Sequence, residues 1–225
     1  MSEGRPTLRE RQRAETRRLI QTHAVRLFTD QGYDEVTVAD VAEAAGVAAM
    51  TVYRHFPTKE DLVVVPNQPA RLIAGLVAAT SAAHPLVRRV GGALVEAAEV
   101  LTCGDGDETA ARRRVLLDCL RLMVRTPALR ARHLDRQYAL QQTVIEALGD
   151  TPSDPDGAFR ARAAVSACLA VMHTAMTRWA EEDGRSELPD LIAMALTASF
   201  GDDALAWRSG RTASAGRVPS GGPEG

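Results

Sequence analysis

The sequence predicts an all-α protein in two unequal parts: an N-terminal three-helix helix-turn-helix unit and a larger C-terminal helical domain. Three observations predict it. Apolar residues recur at three- and four-residue spacing along most of the chain, and no stretch shows the period-2 alternation rich in Val, Ile and Thr expected of a strand. Breaker residues divide the chain into segments of helical length. Two short helical segments near the N-terminus are joined by a turn containing Gly46.

From Leu8 to Gln31 the apolar positions Leu19, Ile20, Ala24, Leu27 and Phe28 share one helix face, and Gly32 is a C-terminal stop. Thr37-Val-Ala-Asp40 is a capping-box pattern that opens a second helix with Val38, Val41, Ala42 and Ala45 inward; Gly46 ends it. A third helix runs from about Ala48 to Phe56, with Val52 and Phe56 inward, and Pro57 breaks it. Thr58, with Asp61 three residues on, is expected to cap a fourth. PNQP at 66–69 marks the domain boundary, with a helix restarting at about Ala70. Turn signals at His84-Pro85, 104–107, Thr126-Pro127 and 149–157 separate the long helices beyond it, and helices at about 157–182 and 187–207 complete the chain. The division is therefore 1–66 with a basic N-terminal arm, 67–207, and a Gly/Pro/Ser-rich tail, 208–225, too polar to order itself.

Composition narrows the function. The 225 residues are 45% hydrophobic and 25% charged, ordinary for a soluble globular protein with a core. Aromatics make up 4%, so Leu, Val, Ile, Ala and Met must build that core. No signal peptide opens the chain, and no apolar run approaches the roughly 18 residues of a membrane helix, which predicts a cytoplasmic protein without a membrane partner. Cys103, Cys119 and Cys168 form no metal-ligand spacing and are expected to be reduced and buried. The net charge of −2 gives no overall cationic footprint, but residues 5–18 hold six arginines against Glu10 and Glu15.

The third helix carries the functional signal. Too short to stand alone, it must pack on the second helix and on residues 19–28, which leaves its outer face free to enter a major groove about 12 Å wide. That face holds Ala49, Met50, Thr51, Arg54 and His55. Arg54 can donate twice to a guanine edge, Thr51 can reach a base or a phosphate, and Ala49 and Met50 suit a thymine methyl. Tyr53 can give its hydroxyl to a phosphate. Lys59 is the only lysine in the chain. At the start of a helix it has the wrong sign for the helix dipole, whereas phosphate contact explains both its type and its position.

The stretch TVADVAEAAGVAAMTVYRHFPTKEDL (37–62), preceded by AVRLFTDQGYDEV (24–36), resembles the DNA-binding domain of TetR-type bacterial transcriptional repressors. The resemblance implies that Thr37, Tyr53 and Lys59 contact phosphate, and that residues 49–51, 54 and 55 contact bases or adjacent phosphates. Ala48, Ala49 and Met50 depart from the polar or basic residues that commonly open the family's recognition helix, so readout leans on Arg54 and thymine methyls, or on the arginine-rich arm in the minor groove.

The resemblance further implies that residues from about 70 to 207 bind a small-molecule effector and dimerise through the last two helices, giving a homodimeric repressor released from a palindromic operator in double-stranded DNA. Apolar stripes agree with it: Val165, Leu169, Met172, Met176 and Trp179 on one helix, and Leu188, Leu191, Ile192, Ala195, Leu196 and Phe200 on the next. Residues 108–142 are faintly similar to regulators of the mycofactocin-regulator type, some of which sense acyl-CoA.

Candidate effector contacts are Met123, Tyr138, Gln141, Met172, His173 and Met176. Tyr138 and Gln141 lie on a stripe with Leu134, Ile145 and Leu148 that is expected to face inward, where they would orient a ligand or find backbone partners. His173 lies beside Met172 and Met176 and is either a pocket residue or a satisfied core histidine. The methionines are flexible packers that suit a tolerant pocket or an ordinary core. Arg112, Arg113 and Arg114 are expected on a solvated helix face.

No GxSxG, HExxH, Walker or GxGxxG motif occurs, and the five histidines are scattered, so no catalytic site, metal or cofactor is expected. Alternatives to the repressor are an activator, a ligand-independent DNA-binding regulator, and a helical interaction module that no longer binds DNA. Tyr53, Arg54 and Lys59 argue against the last.

Overall fold

Residues 7–63, 68–149 and 155–201 are described in the computed structural model, and among them every regular element is helical. The order is α1 (Leu8–Gln31), α2 (Val38–Ala44), α3 (Ala49–His55), a single 3-10 turn (Glu60–Leu62), α4 (Gln68–Ala79), α5 (Leu86–Thr102), α6 (Asp107–Arg125), α7 (Pro127–Ala147), α8 (Pro155–Glu181) and α9 (Leu188–Phe200).

Local chemistry sets the first boundaries. Thr7 and Glu10 form a capping box that opens α1. Ile20, Ala24, Val25 and Phe28 are buried on its inner face, and Leu19, expected inward, is 44% exposed. It lies next to Ile20, about 100° around the helix, on the edge of a stripe that Gln21 and Val25 extend the other way. Thr37 and Asp40 cap α2 in the same reciprocal manner, with both Thr37 N and Oγ1 2.7 Å from Asp40 Oδ2. Gly46 takes φ 65, a left-handed conformation, so that its N–H reaches Glu43 O while Val47 N reaches Ala42 O. This turn sets α3 across α2, with Val52 and Phe56 fully enclosed.

After Pro57 the structure departs from expectation. Thr58 does cap, bonding Asp61 through N and Oγ1, but the segment it opens is one 3-10 turn and not an α-helix. Three residues are too few to propagate i→i+4 bonds, and tertiary contacts fix the turn instead. The PNQP boundary coincides with residues 64–67, outside the described residues, and α4 begins at Gln68. Of the basic stretch 5–18, only residues 5 and 6 lie outside them: Arg9, Arg11, Arg13, Arg17 and Arg18 stand on α1 and so belong to a helix. The tail after Gly201 also lies outside the described residues. The last helix, expected to reach 207, ends at Phe200, where Gly201 adopts φ 81.

In the C-terminal part α8 packs along α9, α5 and α6, and α4 lies against α5 and α7. The core joins Val90, Leu94, Val165, Leu169, Trp179, Ile192 and Leu196. Arg113, expected on a solvated face, instead donates to both carboxylate oxygens of Glu187 and to Gly184 O. Cys119 and Cys168 are buried as expected, whereas Cys103 is exposed at the C-terminal end of α5.

The two parts share a core. The cluster that encloses Phe28, Val41, Val52, Phe56 and Leu62 also takes in Cys119 and Leu122 of α6 and Leu129 of α7. α1 packs directly on α6, and the 3-10 turn on α7.

Candidate nucleic-acid interface and ligand cavity

α3 presents Ala49, Met50, Tyr53 and Arg54 as exposed side chains, with Met50 76% and Tyr53 48% accessible, while Thr51 and His55 are half-buried. Met50 and Tyr53 are thus among the large apolar and aromatic side chains that the fold leaves at the surface. Arg17 of α1 fixes the end of this helix: its guanidinium lies 4.1 Å over the Phe56 ring and donates to His55 O. Burial, then the charges of Arg13, Arg54 and Arg17, depresses the His55 pKa and favours its neutral ring. Thr37 is exposed at the N-terminus of α2, with its hydroxyl engaged in the capping box.

Lys59 is half-buried, and its Nζ lies 4.3 Å over the Tyr33 ring and 5.6 Å from the Phe28 centroid. The Tyr33 hydroxyl in turn donates to Glu60 at 3.1 Å, and its pKa is raised by burial first and then by Glu60. Only the single 3-10 turn follows Lys59, so the segment it opens has no α-helix dipole of its own to oppose the charge. A cation held on aromatic faces is nevertheless positioned as a point charge beside α3.

A cavity of about 420 Å³ lies between α4, α5, α6, α7, α8 and α9. Leu94, Ala97, Ala98, Leu120, Leu140 and Ile192 make much of its wall, and Met123, Met172 and Met176 also line it. Tyr138 and Gln141 do not: Tyr138 is 65% exposed, as is its stripe neighbour Leu134 at 54%. The inner face of α7 runs instead through Leu129, His133, Arg136, Gln137, Leu140 and Val144. Three of those six are polar, so apolar periodicity misplaces α7 at Leu134 and Tyr138, whereas further along the same stripe Ile145 packs on the core and Leu148 is buried as expected.

His173 meets the cavity through His133. The two ring nitrogens, Nδ1 of His173 and Nε2 of His133, are 3.1 Å apart, and His133 lines the wall. Burial, then His173 and Arg136, pushes the His133 pKa down to about 4, and burial lowers that of His173. Both shifts favour the neutral rings, in which one ring donates to the other. Because His133 titrates lower in the folded chain than its ordinary 6.5, stability is expected to fall as pH drops from about 6.5 towards about 4. Thermal melts across that window, with H133Q flattening the decline, check this.

Arg136 and its neighbours escape a reading of the sequence. Asp61 has only 5% of its side chain exposed; its Oδ1 accepts from Arg132 Nε at 3.1 Å and Nη2 at 2.8 Å, and lies 3.9 Å from Arg136 Nη2. Burial opposes its charge, but hydrogen bonds from Arg132 and Thr58 outweigh that and hold the carboxyl below its ordinary range. Seventy-one residues separate Asp61 from Arg132, and no local pattern announces such a pair. Val63, Cys119 and Leu129 belong both to the cavity wall and to the helix-turn-helix core.

Comparison with known proteins agrees with this architecture. Residues 20–64 match the family described as "Bacterial regulatory proteins, tetR family", and residues 84–199, more than half the chain, match the "MftR C-terminal domain". The HTH-type transcriptional regulator TcmR of Streptomyces glaucescens is 29% identical over 177 residues, 77% of each chain. The HTH-type transcriptional regulator AcrR of Shigella flexneri is 43% identical over 59 residues, 26% of each. Among solved structures, NalD of Pseudomonas aeruginosa, the secondary repressor of the MexAB-OprM multidrug efflux pump, shares the fold with a TM-score of 0.52 at 22% identity, over 85% of this chain and 97% of that one.

Proposed function

The chain belongs to the TetR family of bacterial regulatory proteins and is a DNA-binding transcriptional regulator; from that premise we propose that it works in the cytoplasm as a homodimeric repressor released by a small molecule bound in the 420 Å³ cavity. The observation that carries the reading is α3, a helix braced from beneath by Val52, Phe56 and Arg17 whose outer face leaves Met50, Tyr53 and Arg54 exposed.

In this reading Arg54 reads a guanine edge, Ala49 and Met50 meet thymine methyls, and Thr51 and His55 reach bases or adjacent phosphates. Thr37, Tyr53 and Lys59 hold the phosphates that fix the register. Two copies join through α8 and α9. Phe159 on α8 and Met194 on α9, 72% and 57% exposed, support that face, as large exposed apolar groups mark association surfaces. No catalytic step is proposed.

The cavity also suggests how release occurs. A ligand there touches Val63, Cys119 and Leu129, side chains that help to enclose the helix-turn-helix. Binding preferentially to a state with altered α3 spacing would shift the population away from the operator.

Selection of genomic fragments by the purified protein at about 0.15 M salt tests the reading, since non-specific phosphate binding is already weakened there. An enriched palindrome is expected; a folded protein that enriches nothing would contradict it. On the selected site, K59A is expected to weaken binding to all sequences and lower the salt slope by about one, and R54A to relax specificity at one base position at a cost of about 1–3 kcal/mol. Binding isotherms at several salt concentrations on matched and mismatched sites measure both.

A further inference from the structure

We propose that the cavity takes an organic anion, an apolar body bearing one acidic group held by Arg136, and that this group competes with Asp61 for the arginines of α7. The inference rests on the cavity being the effector site and goes further, to the ligand's charge and the route of its signal.

The polar part of the wall is concentrated on one helix. His133, Arg136 and Gln137 stand on consecutive turns of α7, facing a wall otherwise made largely of Leu, Ala, Met and Ile. His133 and His173 are occupied with one another, and Gln137 donates to Leu169 O at 2.9 Å. Arg136 brings a full positive charge to the wall, with 30% of its side chain exposed. Arg71 also reaches the lining from α4 but is exposed, so water screens it.

A guanidinium facing an apolar ligand loses hydration and gains no bond from that ligand, and against a cation it is repelled. A carboxylate, sulfonate or phosphate gains charge-assisted hydrogen bonds. The surroundings favour an anion further: Asp61 sits among Arg17, Arg132 and Arg136, three cations around one carboxylate, with Glu60 and Asp135 acting more weakly than Asp61 on Arg132. Burial, the largest influence on Arg136, works against its charge, and the field of Asp61 supports it.

The same arginine faces the helix-turn-helix unit. Asp61 lies on the 3-10 turn, two residues after Lys59, and that turn packs on α7. An acidic group drawn to Arg136 weakens the hold of α7 on Asp61 and so loosens the segment that carries Lys59. Coupling of this kind is reciprocal: whatever removes the charge of Asp61 must strengthen anion binding.

Two fluorescent probes that share an apolar body test this on the full-length chain: 1-anilinonaphthalene-8-sulfonate and the uncharged N-phenyl-1-naphthylamine. R136M is expected to weaken the sulfonate about tenfold or more, the loss of a charge-assisted hydrogen bond, and to change the neutral probe by less than about twofold. R136K, which keeps the charge, and R71M should retain most of the sulfonate affinity. D61N should raise sulfonate affinity by about threefold or more without affecting the neutral probe. If R136M weakens both probes equally or neither, anion recognition by Arg136 is wrong. If D61N leaves the sulfonate unchanged, the competition is wrong. The cavity-filling variants A97F and L140W separate the underlying reading: both should lose both probes, and retention of both in a folded variant overturns the cavity as the binding site and this inference with it.

Discussion

Replacing Trp179 by alanine is expected to destabilise the protein by about 3–5 kcal/mol, the usual cost of emptying a buried aromatic site. At about 2–4 °C per kcal/mol for a chain of this size, the melting temperature should fall by roughly 6–20 °C. Trp179 is fully enclosed where α8 turns into α9. Its indole N–H donates to Ser186 O at 2.9 Å, and its carbonyl accepts from Gly184 N at 2.9 Å. Gly184 beside it sits at φ 70, a conformation that favours glycine, and packs against the tips of Leu117 and Trp179. W179F should cost less, about 1–2 kcal/mol, because it keeps most of the volume and loses one hydrogen bond. Melts followed by circular dichroism give both values, and an alanine variant that melts with the parent would show that the turn holds without the indole.

Asp61→Ala is expected to remove about 2–3 kcal/mol at neutral pH, somewhat below the usual cost of breaking a buried ion pair because Arg132 keeps 36% of its side chain exposed. The loss leaves Arg17, Arg132 and Arg136 close together without the carboxylate they face, and deprives Thr58 of its capping partner. The lowered carboxyl pKa sets the sign of the pH dependence. The contribution of Asp61 is fully present above the ordinary carboxylate range near 4 and disappears as pH falls through the lower folded value. The melting difference between parent and D61A should therefore be largest near neutrality and shrink below about pH 4; a constant difference would mean that the charge of Asp61 contributes nothing.

The helix-turn-helix was legible because its signals are local. The Thr37–Asp40 box, Gly46 and Pro57 each act within four residues, and the structure uses each where the sequence places it, although Pro57 leads into a 3-10 turn where a helix was expected. Cavity residues were legible only where they were apolar. Met123, Met172 and Met176 sit on stripes that periodicity finds, but α7 turns His133, Arg136 and Gln137 inward and Leu134 and Tyr138 outward, which inverts the usual rule. The His133–His173 and Arg132–Asp61 pairs span 40 and 71 residues, distances at which only the folded chain decides which groups meet.

The shared core around Cys119, Leu122 and Leu129 limits how this protein can be taken apart. A chimaera that carries residues 7–63 onto a different sensor module inherits Phe28, Val52 and Phe56 but not the α6 and α7 side chains that complete their enclosure. Its reader unit would have an open apolar socket unless the new host offered matching side chains at the corresponding helix crossings. Recombination that respects the apparent boundary near residue 66 would thus separate a continuous core, and functional exchange of reading heads in this scaffold should require α6 and α7 to travel with α1–α3.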